Sequence, residues 1–200
     1  MGTGAISIVL LFLLVFFSWQ TVYSANKDLI RAKAWREMAR RALPFGALLL
    51  MALSLLVVQG HRQSWVLVTW MVVAGLAIIS SSFLSVSGTE RKANKAFRSG
   101  DYERATDLYR GLIEENPLAR NYAFFGAALG ASGKRDESVK ASSEAIKKDP
   151  QYGLAYYNRA LILGQQNKKS RAVKDLKKAL ESDLPKRFRS SAKRMLKDIE

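Results

Sequence analysis

The sequence predicts an all-α protein in two parts: three transmembrane helices, then an α-solenoid of three helix–turn–helix units closed by a capping helix. Three observations predict this. Residues 1–88 contain three long uncharged runs, whereas residues 89–200 carry 25 Lys/Arg and 15 Asp/Glu. The small residues Ala105, Ser138 and Ala172 recur 33 and then 34 positions apart. A last amphipathic segment follows Pro185.

The first run, about residues 4–22, has no charge, and within Ile6–Phe17 only Ser7 is not Ile, Leu, Val or Phe. Each such side chain favours insertion by roughly 0.3–0.6 kcal/mol at a helix centre. Its length roughly matches a ~30 Å hydrocarbon core. Trp19 and Tyr23 stand at its end, where amphipathic rings favour the headgroup level. A signal peptide is the competing reading, with Val22-Tyr23-Ser24 as its cleavage site. The uncharged start Met1-Gly2-Thr3-Gly4, and the basic segment after the run, favour a retained anchor.

Two further runs, about 43–59 and 64–86, are expected as a helical hairpin around Gly60-His61-Arg62-Gln63. Pro44 is expected in the first turn of its span, where no backbone donor is needed, and Trp65 at the opposite interface. The segment 25–42 carries Lys27, Arg31, Lys33, Arg36, Arg40 and Arg41. It reads either as a solvated loop that sets topology or as an interfacial helix held on anionic lipid. The hairpin loop carries only Arg62 and His61. The positive-inside rule then puts the N-terminus outside and residues 89–200 in the cytoplasm. The expected localisation is a multi-pass integral protein of a bacterial plasma membrane.

The second half repeats itself. Gly100-Asp-Tyr-Glu-Arg-Ala105, Gly133-Lys-Arg-Asp-Glu-Ser138 and Asn167-Lys-Lys-Ser-Arg-Ala172 each open a second helix, and each unit ends at Pro117, Pro150 or Pro185. Units fall at about 86–118, 119–152 and 153–185, with a capping helix over 186–200. First helices open Tyr122-Ala-Phe-Phe125-Gly126 and Tyr156-Tyr-Asn-Arg159-Ala160, followed by Leu129 and Leu163. The large residue four places after the small one is Tyr109, Ser142 and Leu176, so Ser142 predicts a weakly packed spot. Ser87-Gly-Thr-Glu90 reads as a capping box, and Gly100 and Gly133 as turns between helices. In the terminal segment Phe188, Ala192, Met195, Leu196 and Ile199 form an apolar stripe opposite a basic face, as a solenoid cap requires.

This pattern resembles the tetratricopeptide repeat (TPR) family over about residues 89–185. The resemblance implies that the first helix of each unit lines a concave groove for a protein or peptide partner. Carried onto this chain, the groove residues are Glu90, Asn94, Phe97, Arg98, Arg120, Ala123, Ala127, Leu154, Tyr157, Asn158 and Leu161. Tyr157 and Leu161 are expected as apolar anchors and Arg120 as the group fixing polarity. Some members of the family clamp the C-terminal carboxylate of chaperones with Lys and Asn. Here Asn94 matches, whereas Glu90 and Ala127 replace polar or basic groups of that clamp.

No catalytic constellation stands beside this. The chain has 200 residues, no cysteine and one histidine, which excludes disulfides, thiolate metal sites and cysteine nucleophiles. Gly130-Ala-Ser-Gly133-Lys134-Arg135 lacks the spacing of a phosphate loop. His61 has no nucleophile or metal-ligand set around it, and Glu114-Glu115 reads as a solvated face. The expectation is a non-enzyme without cofactor or metal, a membrane-anchored module for protein–protein interaction with a scaffold or assembly role. Two alternatives stay open: a subunit or assembly factor acting through its membrane helices, and a basic surface docking to anionic lipid or nucleic acid. The net charge of +15, with twelve Lys/Arg between 168 and 197, motivates the latter. Nucleic acid is disfavoured for want of a binding motif or interleaved aromatics.

Overall fold

The computed structural model describes residues 3–58 and 64–199, and every regular element among them is an α-helix. The chain divides into two compact units, Met1–Ser87 and Gly88–Glu200.

The N-terminal unit comprises α1 (Thr3–Ala25), α2 (Lys27–Arg31), α3 (Trp35–Val58) and α4 (Ser64–Leu84). Trp19 of α1 meets Phe45 of α3 with ring centroids 5.6 Å apart. Trp70 Nε1 of α4 donates to Ser54 Oγ of α3 at 2.9 Å, and that hydroxyl donates onward to the Met51 carbonyl. Such a bond orients two apolar helices that side-chain hydrophobicity alone leaves unregistered. Large apolar side chains otherwise face outward: Phe12, Phe16 and Phe17 on α1, and Trp65, Met71 and Phe83 on α4, are each more than half exposed. Among the described residues, Trp65–Leu84 is long and apolar enough to cross a membrane by length and composition, and Phe12–Ala25 is a shorter apolar helix.

The basic segment 25–42 is not one loop. It holds α2, a turn with Lys33 at φ 53°, and the first turns of α3. Leu29 and Met38 are buried. Pro44 therefore lies inside α3 rather than in its first turn. The run Trp35-Arg-Glu-Met-Ala-Arg-Arg-Ala42 is rich in helix formers, and Arg40 pairs with Glu37 one turn away at 3.3 Å. That run outweighs the local cost of a proline without a donor, about 3 kcal/mol in a helix interior. Gln59 and the expected hairpin loop with His61 lie outside the described residues.

The C-terminal unit comprises three helix pairs, α5 (Gly88–Arg98) with α6 (Tyr102–Glu115), α7 (Ala119–Ala131) with α8 (Arg135–Lys148), and α9 (Gly153–Gln165) with α10 (Lys169–Glu181), then α11 (Lys186–Ile199). Each pair turns through one left-handed residue: Gly100 at φ 81°, Gly133 at φ 84° and Asn167 at φ 58°. Glycine has no Cβ to clash there, and asparagine is the side chain that tolerates it best. Helices approach through alanines with no exposed surface, among them Ala93, Ala105, Ala123, Ala145, Ala155 and Ala172. Tyr109, Leu129, Leu163 and Leu176 fill the space between.

Two packing solutions depart from the expected pattern. Ser142 is not loosely packed. It lies fully buried against Gly126, where an added Cβ would stand 2.7 Å from Ser142 Oγ and 3.2 Å from the Ser138 carbonyl. Ser138 Oγ donates to the Gly126 carbonyl at 2.7 Å, so α7 and α8 meet backbone to backbone. A serine suffices at 142 because its neighbour is a glycine. In the third pair, Arg159 replaces the large apolar residue. Its Nε and Nη2 donate to the two carboxylate oxygens of Asp175 at 2.7 and 2.8 Å, and Nη1 donates to Ser143 Oγ at 2.9 Å. The hydrogen bond to Asp175 raises the Arg159 pKa against the opposing effect of burial. This fork joins α8, α9 and α10.

Candidate functional site

The first helices of the three pairs line one cavity of 840 Å³, which the start of α11 borders. Asn94, Phe97 and Arg98 come from α5, Phe124 and Ala127 from α7, Leu154, Tyr157, Asn158, Leu161 and Gln165 from α9, and Arg187 and Phe188 from α11. Among the described lining residues, Arg98 and Arg187 carry charge and no carboxylate does. The lining is apolar with a few fixed amides, the composition that lets a site hold a side chain and orient a backbone.

The amides are held by the fold. Tyr109 OH donates to Asn94 Oδ1 at 2.8 Å, which leaves the Asn94 amide as the donor end. Asn158 Nδ2 donates to the Ala123 carbonyl at 3.0 Å, tying α9 to α7 across the repeat boundary. Tyr109 stacks on Phe124 with centroids 5.8 Å apart. Burial, reinforced by Glu90 and opposed by Arg98, pushes the Tyr109 hydroxyl up to about 12, so it stays a neutral donor.

Eight of the eleven residues drawn from the sequence line this cavity: Asn94, Phe97, Arg98, Ala127, Leu154, Tyr157, Asn158 and Leu161. Glu90, Arg120 and Ala123 do not. Ala123 is fully buried in a cluster with Ala145 and Ala155, because α7 turns that position toward its neighbouring helices. Arg120 is 8% exposed, too buried to steer an incoming chain. Tyr157 lines the cavity but is no open anchor. It is 9% exposed, and its ring lies against Phe188 with centroids 5.4 Å apart.

Sequence reasoning missed Phe124, Gln165, Arg187 and Phe188. Phe188 was legible as part of the terminal apolar stripe, but that stripe says only that the helix docks, not where its first turn ends. The Arg187 guanidinium carbon lies 4.8 Å from the Phe188 ring centroid, which holds this charge at the rim.

Residues 154–185 match the family model described as tetratricopeptide repeat. The C-terminal unit is an all-helical, TPR-like solenoid. It superimposes on the "TPR2B-domain:pHsp70-complex of yeast Sti1" with a TM-score of 0.52 at 22% identity, over 56% of this chain and 92% of that one. It also superimposes on the "First TPR of Spaghetti (RPAP3) bound to HSP90 peptide SRMEEVD" with a TM-score of 0.51 at 25% identity, over 56% and 86% of the two chains. Mouse "Sperm-associated antigen 1" is 34% identical over 131 residues, 64% of this chain. The match spans 14% of the length of that curated relative.

Proposed function

We propose that this chain is a membrane-anchored TPR module that holds an extended segment of a partner protein in its concave cavity. One observation carries the binding part: the lining combines the apolar Phe97, Phe124, Leu154 and Leu161 with two guanidinium groups, Arg98 and Arg187, and among the described residues no carboxylate joins them. Such a cavity favours a segment with apolar side chains and at least one exposed carboxylate, since like charge at either rim is unfavourable. The Spaghetti (RPAP3) neighbour named above is bound to an HSP90 peptide by its title, which supports a peptide as the ligand class. The clamp for a C-terminal carboxylate has less support, because Glu90 does not line the cavity and Ala127 brings no polar group.

The membrane part of the proposal rests on the outward-facing aromatic and aliphatic side chains of α1, α3 and α4. Exposed apolar side chains in that number are unfavourable in water and favourable in hydrocarbon. In this reading the three apolar runs of the sequence are the spans, the uncharged N-terminus and the basic segment after it retain the first, and the basic segment 25–42 puts the TPR unit in the cytoplasm under the positive-inside rule.

Photo-crosslinking tests the reading. Full-length chain carrying a benzophenone side chain at Leu161 should yield a discrete adduct in cell membranes, and the same probe at the exposed Glu144 of α8 should not. Identical adducts from both positions, or none at Leu161, would remove the cavity as the binding site. Alkaline carbonate extraction of those membranes should leave the chain in the pellet, and release into the supernatant would remove the anchor.

A further inference from the structure

A second cavity, of 770 Å³, lies on α9 and α10 and shares no lining residue with the first. Arg171, Lys174, Lys177 and Lys178 of α10 line it, with Tyr156 and Arg159 of α9. Positions 171, 174 and 178 fall on one helix face by their spacing of three and four. Two carboxylates share the lining, Asp175 and Glu181. Asp175 is committed to Arg159 in the bidentate pair and is 8% exposed. Glu181 reaches Lys178 at 3.7 Å across an open surface, where screening leaves little attraction. The cleft lining therefore holds five cations, Arg159 included, against two carboxylates, an excess of positive charge.

We propose that this cleft binds the phosphate headgroups of anionic phospholipid. The inference rests on the membrane reading of the N-terminal unit. Residues 85–87 alone separate α4 from α5, so the TPR unit is tethered to whatever bilayer holds α4. Tethering raises the effective concentration of headgroups, so individually weak contacts become occupied. Lysine and arginine near an anionic leaflet are attracted to it within a Debye length. Nucleic acid would bring the same phosphate chemistry, but base stacking needs exposed aromatic faces. The one aromatic ring of this lining, Tyr156, is 9% exposed and lies beneath the Arg159 guanidinium at 5.8 Å.

The test is lysine footprinting of the full-length chain in nanodiscs of phosphatidylcholine alone or with phosphatidylglycerol. Acetylation of Lys174 and Lys178, read by mass spectrometry, should fall about fivefold in anionic discs, and about 0.5 M salt should restore it. Lys140 on α8 serves as the control and should change little. The Arg171→Glu/Lys177→Glu variant should lose the protection of Lys174 while its helicity stays intact. Equal labelling in both discs, or equal loss at Lys140, overturns the proposal. Protection in neutral discs on adding inorganic phosphate would identify a free-phosphate site instead. Protection by an RNA oligomer but not by anionic discs would identify a nucleic-acid surface, and both results overturn the lipid assignment. A chain that does not incorporate into discs overturns the anchor and, with it, the tethered lipid assignment, whereas equal labelling in an incorporated chain overturns the cleft alone.

Discussion

Tyr109, 2% exposed, brings its hydroxyl to the lining of the first cavity and bonds it to Asn94. Its pKa is raised from 10.0 to about 12, chiefly by burial. A raised tyrosine pKa means that the folded state favours the neutral form. The stabilisation is complete below about pH 10, then declines as pH rises toward about 12. Absorbance titration of tyrosinate should show one late-titrating group, absent from Tyr109→Phe, and stability should fall less steeply with alkali in that variant. Gly126 and Ser142 form a second residue-scale case. Gly126→Ala should cost about 1–3 kcal/mol by overpacking. The buried Ser142 Oγ has no hydrogen-bond partner in the structure, so Ser142→Ala should be neutral or stabilising by up to about 1 kcal/mol. The double variant should lose less than the sum, because the closest clash at 126 is with Ser142 Oγ. Urea denaturation of the four proteins measures this, and strict additivity would count against the contact.

At the scale of elements, the turns were legible and the Arg159 fork was not. Gly100 and Gly133 announce left-handed turns, and the repeat phase extends that conformation to Asn167. Asn167→Gly should therefore be neutral or stabilise slightly, whereas Gly133→Ala should cost about 1 kcal/mol. Thermal melting of both variants is the measurement, and equal shifts would refute the shared conformation. In the sequence Arg159 stands where the second unit has Phe125, and Asp175 stands among lysines. No spacing rule links two residues sixteen apart on different helices until the hairpin brings them together. Asp175→Asn should cost about 2–3 kcal/mol, since it leaves a half-buried guanidinium without its anion. Arg159→Leu combined with Asp175→Leu should recover most of that loss, because an apolar pair needs no desolvated charge. The same reasoning explains Pro44. A proline looks like a helix start from sequence, but the nine residues before it in α3, most of them good helix formers, carry the helix through.

For the whole molecule, charge and periodicity distinguish the two halves, while the closing helix needs the structure to be understood. The apolar stripe of α11 docks as a cap, with Ala192 fully buried and Met195, Leu196 and Ile199 packed on the core of the last pair. Its first turn also borders the first cavity through Arg187 and Phe188. Under the proposed function, fold stability and recognition meet at this helix end. Phe188→Ala should expose the Tyr157 ring, lower stability by about 2 kcal/mol and lower the melting midpoint of the TPR unit by roughly 10 °C. The crosslink from Leu161 should weaken with it, because the ligand loses one wall. Arg187→Gln separates the two roles, since it removes a rim charge and keeps the aromatic contact. It should leave the melting midpoint within about 2 °C while reducing the crosslink several-fold and making the residual binding less sensitive to salt. Circular dichroism melting and crosslink yield at two salt concentrations, on both variants of the full-length chain, decide the matter. If Arg187→Gln leaves the adduct and its salt dependence unchanged, the end of α11 caps the solenoid and takes no part in recognition.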